Sequence, residues 1–123
     1  MPLKHKRWCD PREATDGFRL LVTRYRPRGV SKAKETWDSW CPELAPSRLL
    51  HADLYGKHGP PIGWEAFQCR YKAEMTAQYE LIEELAKLSV EGKTITLLCS
   101  TACIDAKRCH RTLLIKLVEA HIQ

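Results

Sequence analysis

Apolar positions are spaced unevenly along this chain, and their spacing changes character several times. Phe18 to Tyr25 carries a continuous Leu20-Leu21-Val22 run closed by Pro27 and Gly29. An unbroken apolar run of this length predicts a strand covered on both faces. Trp64, Phe67 and Tyr71 fall at i, i+3 and i+7, which predicts a helix over 64–75. Thr76 is expected to open a second helix, with Tyr79, Leu81, Ile82, Leu85 and Leu88 as its apolar stripe and Gly92 as its stop. Thr94 to Cys99 is rich in β-branched residues and reads as the clearest strand. A last helix is expected over 110–121, with Leu113, Leu114, Leu117 and Val118 turned inward.

The remaining segments are weaker. Residues 1–16 are polar, contain Pro2 and Pro11, and read as an arm or a short edge element. Ser31 is placed to cap a short turn over 32–35. Trp37, Trp40, Cys41 and Leu44 suggest one face of a short helix, limited by Pro42 and Pro46. Residues 51–63, with three glycines and two prolines, form the clearest loop. Two obvious strands do not make a sheet, so further strands are expected in the N-terminal arm or near 48–55. The order strand, helices, strand, helix predicts an α/β fold: one compact layered domain over 1–123, with a small, at least partly parallel sheet flanked by helices.

Composition narrows the class of protein. At 123 residues, 44% hydrophobic and 28% charged, the chain suits one globular domain. No run approaches the roughly 18 apolar residues of a membrane span, and the start Met1-Pro2-Leu3-Lys4-His5-Lys6-Arg7 has no apolar signal segment. A soluble cytoplasmic protein is therefore expected, with no membrane partner. Its six cysteines are then expected to be reduced thiols rather than a disulfide framework, and Cys9, Cys41 and Cys69 are read as small buried side chains. The formal charge of +5 favours anionic partners, either a small ligand or nucleic acid. Oligomeric state is not legible.

Two segments carry candidate chemistry. Arg24, Arg26 and Arg28 lie at or beyond the end of the first strand, where α/β sheets usually bind ligands. Alternate residues of an extended segment point the same way, so the three guanidiniums can converge on a phosphate or carboxylate. The alternative is a solvated loop with one arginine tied to a carboxylate such as Asp38 or Glu43. The second segment runs from Cys99 at a strand end to Cys109, His110 and Arg111 at the mouth of the last helix. A helix amino end favours anions, and a cysteine there tends towards a lowered pKa, reinforced by Lys107, Arg108 and Arg111. Three readings follow. Cys99 or Cys109 would act as a catalytic thiolate, with His110 as base. Cys99, Cys103, Cys109 and His110 would bind zinc or iron, although adjacent Cys109 and His110 make awkward ligands. Or the cysteines are buried structural residues beside a helix end that still attracts anions. A phosphatase-type Cys-x5-Arg cradle is absent: Cys103 and Arg108 miss it by one residue.

These segments also carry a resemblance. Arg24, the stretch Pro27-Arg28-Gly29-Val30-Ser31-Lys32, Trp40, Glu43-Leu44-Ala45-Pro46-Ser47, Trp64, Phe67, Arg70-Tyr71, Glu74, Thr96-Leu97-Leu98 and Cys109-His110-Arg111 are similar to the signature of the YeaO-like family. The similarity spans roughly residues 17 to 120. It differs where YeaO-like members commonly have Asp before the first arginine and Trp before the proline: here these are Thr23 and Arg26. The resemblance implies a compact α/β bacterial protein and brings no established activity. The residues themselves favour an anion-binding module in which Arg24, Arg26 and Arg28 meet His110 and Arg111. The alternatives are a cysteine-dependent enzyme for sulfur transfer, redox or hydrolysis, and a metal-stabilised interaction protein. No cofactor is required by any of this.

Overall fold

A computed structural model describes residues 3–100 and 109–122. Strands β1 (Leu3–Arg7), β2 (Phe18–Leu21), β3 (Ser39–Trp40) and β4 (Ile95–Cys99) form a sheet in the order β1-β4-β2-β3. Every pairing is parallel, from Leu3 opposite Ile95 to Leu21 opposite Trp40. The helices are α1 (Arg48–Leu54), α2 (Trp64–Met75), α3 (Tyr79–Val90) and α4 (His110–Ala120). The expected α/β layered architecture is therefore observed. Among the described residues, no helix is long and apolar enough to cross a membrane.

The unbroken Leu20-Leu21-Val22 run serves both faces of the sheet. Leu20 and Val22 join Ile95, Leu97 and the buried faces of the helices in the main core, around Leu50, Phe67, Tyr71, Leu85 and Leu114. Leu21 and Leu98 point the other way, under Trp37, Trp8 and Val30. Among the described residues, no α-helix covers that second face. It is roofed by loops and by buried polar groups: Arg19, Asp16 and Thr96 are all fully enclosed. Arg19 Nη1 donates to Asp16 Oδ2 at 2.8 Å, and Lys4 and Lys6 reach the same carboxylate at 3.3 and 2.9 Å.

Several expectations are corrected. Residues 37–46 are not one helix: Trp37 goes to the loop-covered face and Leu44 to the helical core, so the chain must cross the sheet layer between them. It does so as β3 followed by a 3₁₀ turn at Pro42–Leu44, with Trp40 Nε1 donating to the Thr23 carbonyl at 2.7 Å. Residues 48–54 are helical, not a hidden strand. Ser47 Oγ accepts the Leu50 N–H, and the Glu74 carboxylate accepts the Ser47 N–H at 2.8 Å, so a tertiary contact fixes the start of α1. The predicted loop therefore begins after α1. The first strand ends at Leu21 rather than Tyr25, and the missing edge strand does lie in the N-terminal arm as β1. A 3₁₀ turn, Thr76–Gln78, precedes α3, whose Tyr79 and Leu81 face solvent while Ala86 and Ser89 are buried. Cys9 and Cys69 are exposed and Cys41 half-buried, against the expectation of buried packing residues.

Gly17 sets the entry to β2. It has φ of 64°, and a Cβ there would lie 2.3 Å from the Thr94 carbonyl oxygen, which accepts the Phe18 N–H. Gly17→Ala therefore forces both a strained backbone and a displaced strand contact. A loss of about 2–3 kcal/mol is expected in urea unfolding; an unchanged midpoint would show that β2 relaxes freely.

Candidate functional site

Parallel strands end together, and here β2 and β4 open their carboxyl ends into a cleft of about 110 Å³. Cys99 is the last residue of β4, Cys109 the N-cap of α4, and His110 its first residue. All three line the floor of the cleft and are buried. The sulfurs of Cys109 and Cys99 are 3.2 Å apart, and Cys99 Sγ lies 3.8 Å from His110 Nδ1.

The other imidazole nitrogen fixes the tautomer. His110 Nε2 is 2.6 Å from the Val22 carbonyl oxygen, which can only accept a hydrogen bond. Nε2 therefore carries a proton, and in its neutral form the ring presents the Nδ1 lone pair towards the Cys99 sulfur. The Tyr71 ring packs 5.8 Å from the imidazole, while its hydroxyl donates to the Leu44 carbonyl at 2.7 Å. Burial pushes the Tyr71 hydroxyl well above its ordinary pKa, and negative charge at Cys109 or Cys99 pushes it further the same way. Tyr71 thus holds the imidazole from behind as a neutral group.

Aromatic side chains form the walls. His51 packs against Tyr25 and Tyr55 with centroids 5.4 and 4.7 Å away, and Trp64 stacks on Phe67 at 5.0 Å. The cleft adjoins a wider groove that shares Thr23, Tyr25 and Ser100 with it and adds Trp8, Arg26, Arg28 and Lys57. An apolar slot with thiols at its floor thus opens onto a basic rim.

The predicted arginines have separate fates. Arg24 lines the cleft, but its Nε and Nη2 donate to the Pro46 and Ala45 carbonyls at 2.9 and 3.2 Å, anchoring the turn that leads to α1. Arg26 pairs with Glu35 at 2.7 Å, donates to the Val30 carbonyl, and covers the Trp37 ring. The carboxylate that ties an arginine is thus Glu35, whereas Asp38 is taken by Arg12. Arg28 is exposed on the groove and makes no side-chain hydrogen bond or ion pair with any described residue. Arg111 stands apart from the cleft lining and is only 5% exposed. Its charge bears on His5 of β1, whose pKa is lowered first by burial and then by Arg111. Cys103, Lys107 and Arg108 lie outside the described residues.

Cys99, Cys109 and His110 offer three donor atoms within 4.8 Å of one another. That set is one donor short of a closed structural zinc site and equals the protein share of an open one. Cys41 is of a different kind: burial first, then Glu43, raises its thiol to about 11 and keeps it protonated. Not legible in the sequence were the Val22 carbonyl, one residue past β2, and the His51–Tyr55 wall and Lys57, which depend on α1 and on the loop after it. Glycine and proline density in that loop, opposite a strand end, was the available signal.

Fold and site together define a parallel α/β protein with a thiol–imidazole cluster at the carboxyl edge of its sheet. The chain belongs to the DUF488-N3a family, described as the active DUF488-N3 subclade, whose model matches residues 3–122. It is 34% identical over 100 residues to the uncharacterized protein YeaO of Escherichia coli K12, covering 81% of this chain and 84% of that one. It is also 33% identical over 103 residues to the uncharacterized proteins Rv3073c of Mycobacterium tuberculosis H37Rv and Mb3100c of Mycobacterium bovis, covering 84% of this chain and 81% of each. No solved structure matches the chain significantly.

Proposed function

We propose that this protein is a cysteine-dependent enzyme acting on a small substrate that carries an anionic group. The observation that carries this reading is the Cys99 sulfur facing the lone pair of a histidine whose tautomer is fixed by Val22. Nδ1 takes the Cys99 proton, and the resulting imidazolium stays hydrogen-bonded at both nitrogens. The amino end of α4 adds a favourable field for negative charge at the floor of the cleft. The thiolate then attacks an electrophilic centre held in the aromatic slot, while Arg28 and Lys57 attract the anionic group at the rim. Sulfur transfer, redox and hydrolysis all begin with that step. The description of the matching family as an active subclade is in keeping with it.

Alkylation kinetics test both halves of the proposal. At neutral pH, peptide mapping is expected to find Cys99 carboxymethylated by iodoacetate far faster than Cys9, Cys41 or Cys69. The anionic reagent should also gain on neutral iodoacetamide, and Arg28→Ala with Lys57→Ala should remove that gain. Uniformly slow thiols overturn the enzyme reading, and an unchanged reagent preference overturns the anionic substrate.

The three converging donor atoms support a second reading, in which Cys99, Cys109 and His110 hold zinc or iron with an open position towards the cleft. Native mass measurement of freshly purified protein, repeated after denaturation, separates the two: a metal lost on unfolding favours this reading.

A further inference from the structure

Two sulfurs meet at the floor of the cleft, and the step described above needs only one. The Cys109 and Cys99 sulfurs approach to 3.2 Å, against about 2.05 Å for a bonded pair. Closing that gap takes about 1 Å of sulfur movement. The carriers are set up for it: Cys99 ends a central strand held by β1 and β2, while Cys109 is the N-cap of α4. Both line the same cleft, so an oxidant admitted to one reaches the other. The remaining described cysteines do not offer this: Cys9 and Cys69 are exposed, and Cys41 points to Glu43 at 3.7 Å.

We propose that Cys109 is the resolving thiol of Cys99, making the pair a reversible dithiol–disulfide couple that answers to hydroperoxides. The inference deepens the reading above, since it rests on Cys99 as the attacking thiol. His110 first takes the Cys99 proton. The Cys99 sulfur then attacks the distal oxygen of a hydroperoxide, the O–O bond breaks, and the leaving alkoxide or hydroxide takes up a proton. Cys99 is now a sulfenic acid and the peroxide is reduced to an alcohol or water. Cys109 sulfur attacks Cys99 sulfur, the S–O bond breaks, and hydroxide leaves with the Cys109 proton as water. The two thiols have together lost two electrons and two protons, which a dithiol reductant restores.

Bridging removes the nucleophile from the cleft and keeps it from irreversible oxidation, because a sulfenic acid with a thiol in contact condenses before a second peroxide reaches it. Cys109 is thereby assigned a role that neither the metal reading nor simple packing predicts: its loss should change which oxidation product forms at Cys99.

The test uses the full chain, reduced in the presence of a chelator and then freed of both reagents. It is treated with a small excess of hydrogen peroxide at neutral pH, denatured in alkylating agent, and mapped by mass spectrometry. The expected product has lost two hydrogens, carries a Cys99–Cys109 bridge, and reverts with dithiothreitol. Cys103→Ser should bridge as the wild type does. Cys109→Ser should carry Cys99 on to sulfinic acid, a gain of two oxygens. A bridge from Cys99 to Cys103, or sulfinic acid at Cys99 in the wild type, overturns the inference. Iodoacetamide alkylation of the reduced protein is run beside it. Rapid labelling of Cys99 without a bridge sinks the resolving role and leaves the proposed function standing. Absence of rapid labelling sinks the proposed function itself.

Discussion

Replacing His110 with glutamine is expected to slow modification of Cys99 at neutral pH by at least about tenfold. Glutamine retains an amide donor for the Val22 carbonyl, so the contact that locks this side chain can persist. It has no basic nitrogen to take the thiol proton. The pH profile separates a chemical effect from a packing effect. In the wild type, the rate should level off once the sulfur has passed its proton to the imidazole. In the variant, it should climb steadily with pH, as for an ordinary thiol. A merely loosened cleft would expose Cys99 and speed labelling at every pH. Equal rates and equal profiles would show that the imidazole faces the sulfur without acting on it.

The second large effect lies on the opposite face of the sheet. Asp16→Asn is expected to cost about 3–5 kcal/mol, a large part of the stability of a domain this size. The substitution keeps the shape and removes the charge that Arg19 faces at 2.8 Å, leaving a fully enclosed guanidinium uncompensated. Burial alone would raise the pKa of Asp16. Hydrogen bonds from Lys6, the Glu13 amide, Lys4 and Arg19 outweigh it and hold the carboxyl well below the usual aspartate range. The sign of the pH dependence follows. A group with a depressed folded-state pKa contributes fully above its unfolded value, about 4, and its contribution fades as pH falls below that. Urea unfolding should therefore show wild type and variant far apart at pH 7 and converging below pH 4. A constant gap would place the acid sensitivity elsewhere.

The parts of this molecule that were legible in its sequence are those whose own periodicity decides their structure. Helix α2 begins and ends where Trp64, Phe67 and Tyr71 predict, and β4 follows from a run of β-branched residues. The misread parts are short segments decided by distant partners. Nothing within 48–54 announces that Glu74 will receive Ser47, and the spacing of Trp37 and Leu44 cannot reveal that they belong to opposite faces of a sheet. The site divides in the same way. Cys99 and His110 were visible as a strand end and a helix mouth, positions that topology brings together in any parallel sheet. The arginine row was visible as charge, but backbone carbonyls at 45 and 46 and the carboxylate of Glu35 engage two of its three members. Hydrogen-bond partners of that kind leave no periodic trace.

Strand order also has a consequence for how the chain comes into being. β4 is the member against which both β1 and β2 lie, and Leu3 waits for Ile95. On a ribosome adding about 5–20 residues per second, the first strand emerges seconds before the partner it needs. Until then β2 has only the two-residue β3 beside it, and the apolar side chains of 20–22 have no second strand to rest on. Sheet assembly is thus a late event that joins both ends of the chain in one step, the situation in which distant pairings slow folding. A nascent chain halted before residue 95 should be protease-sensitive throughout, whereas one released beyond α4 should become resistant all at once.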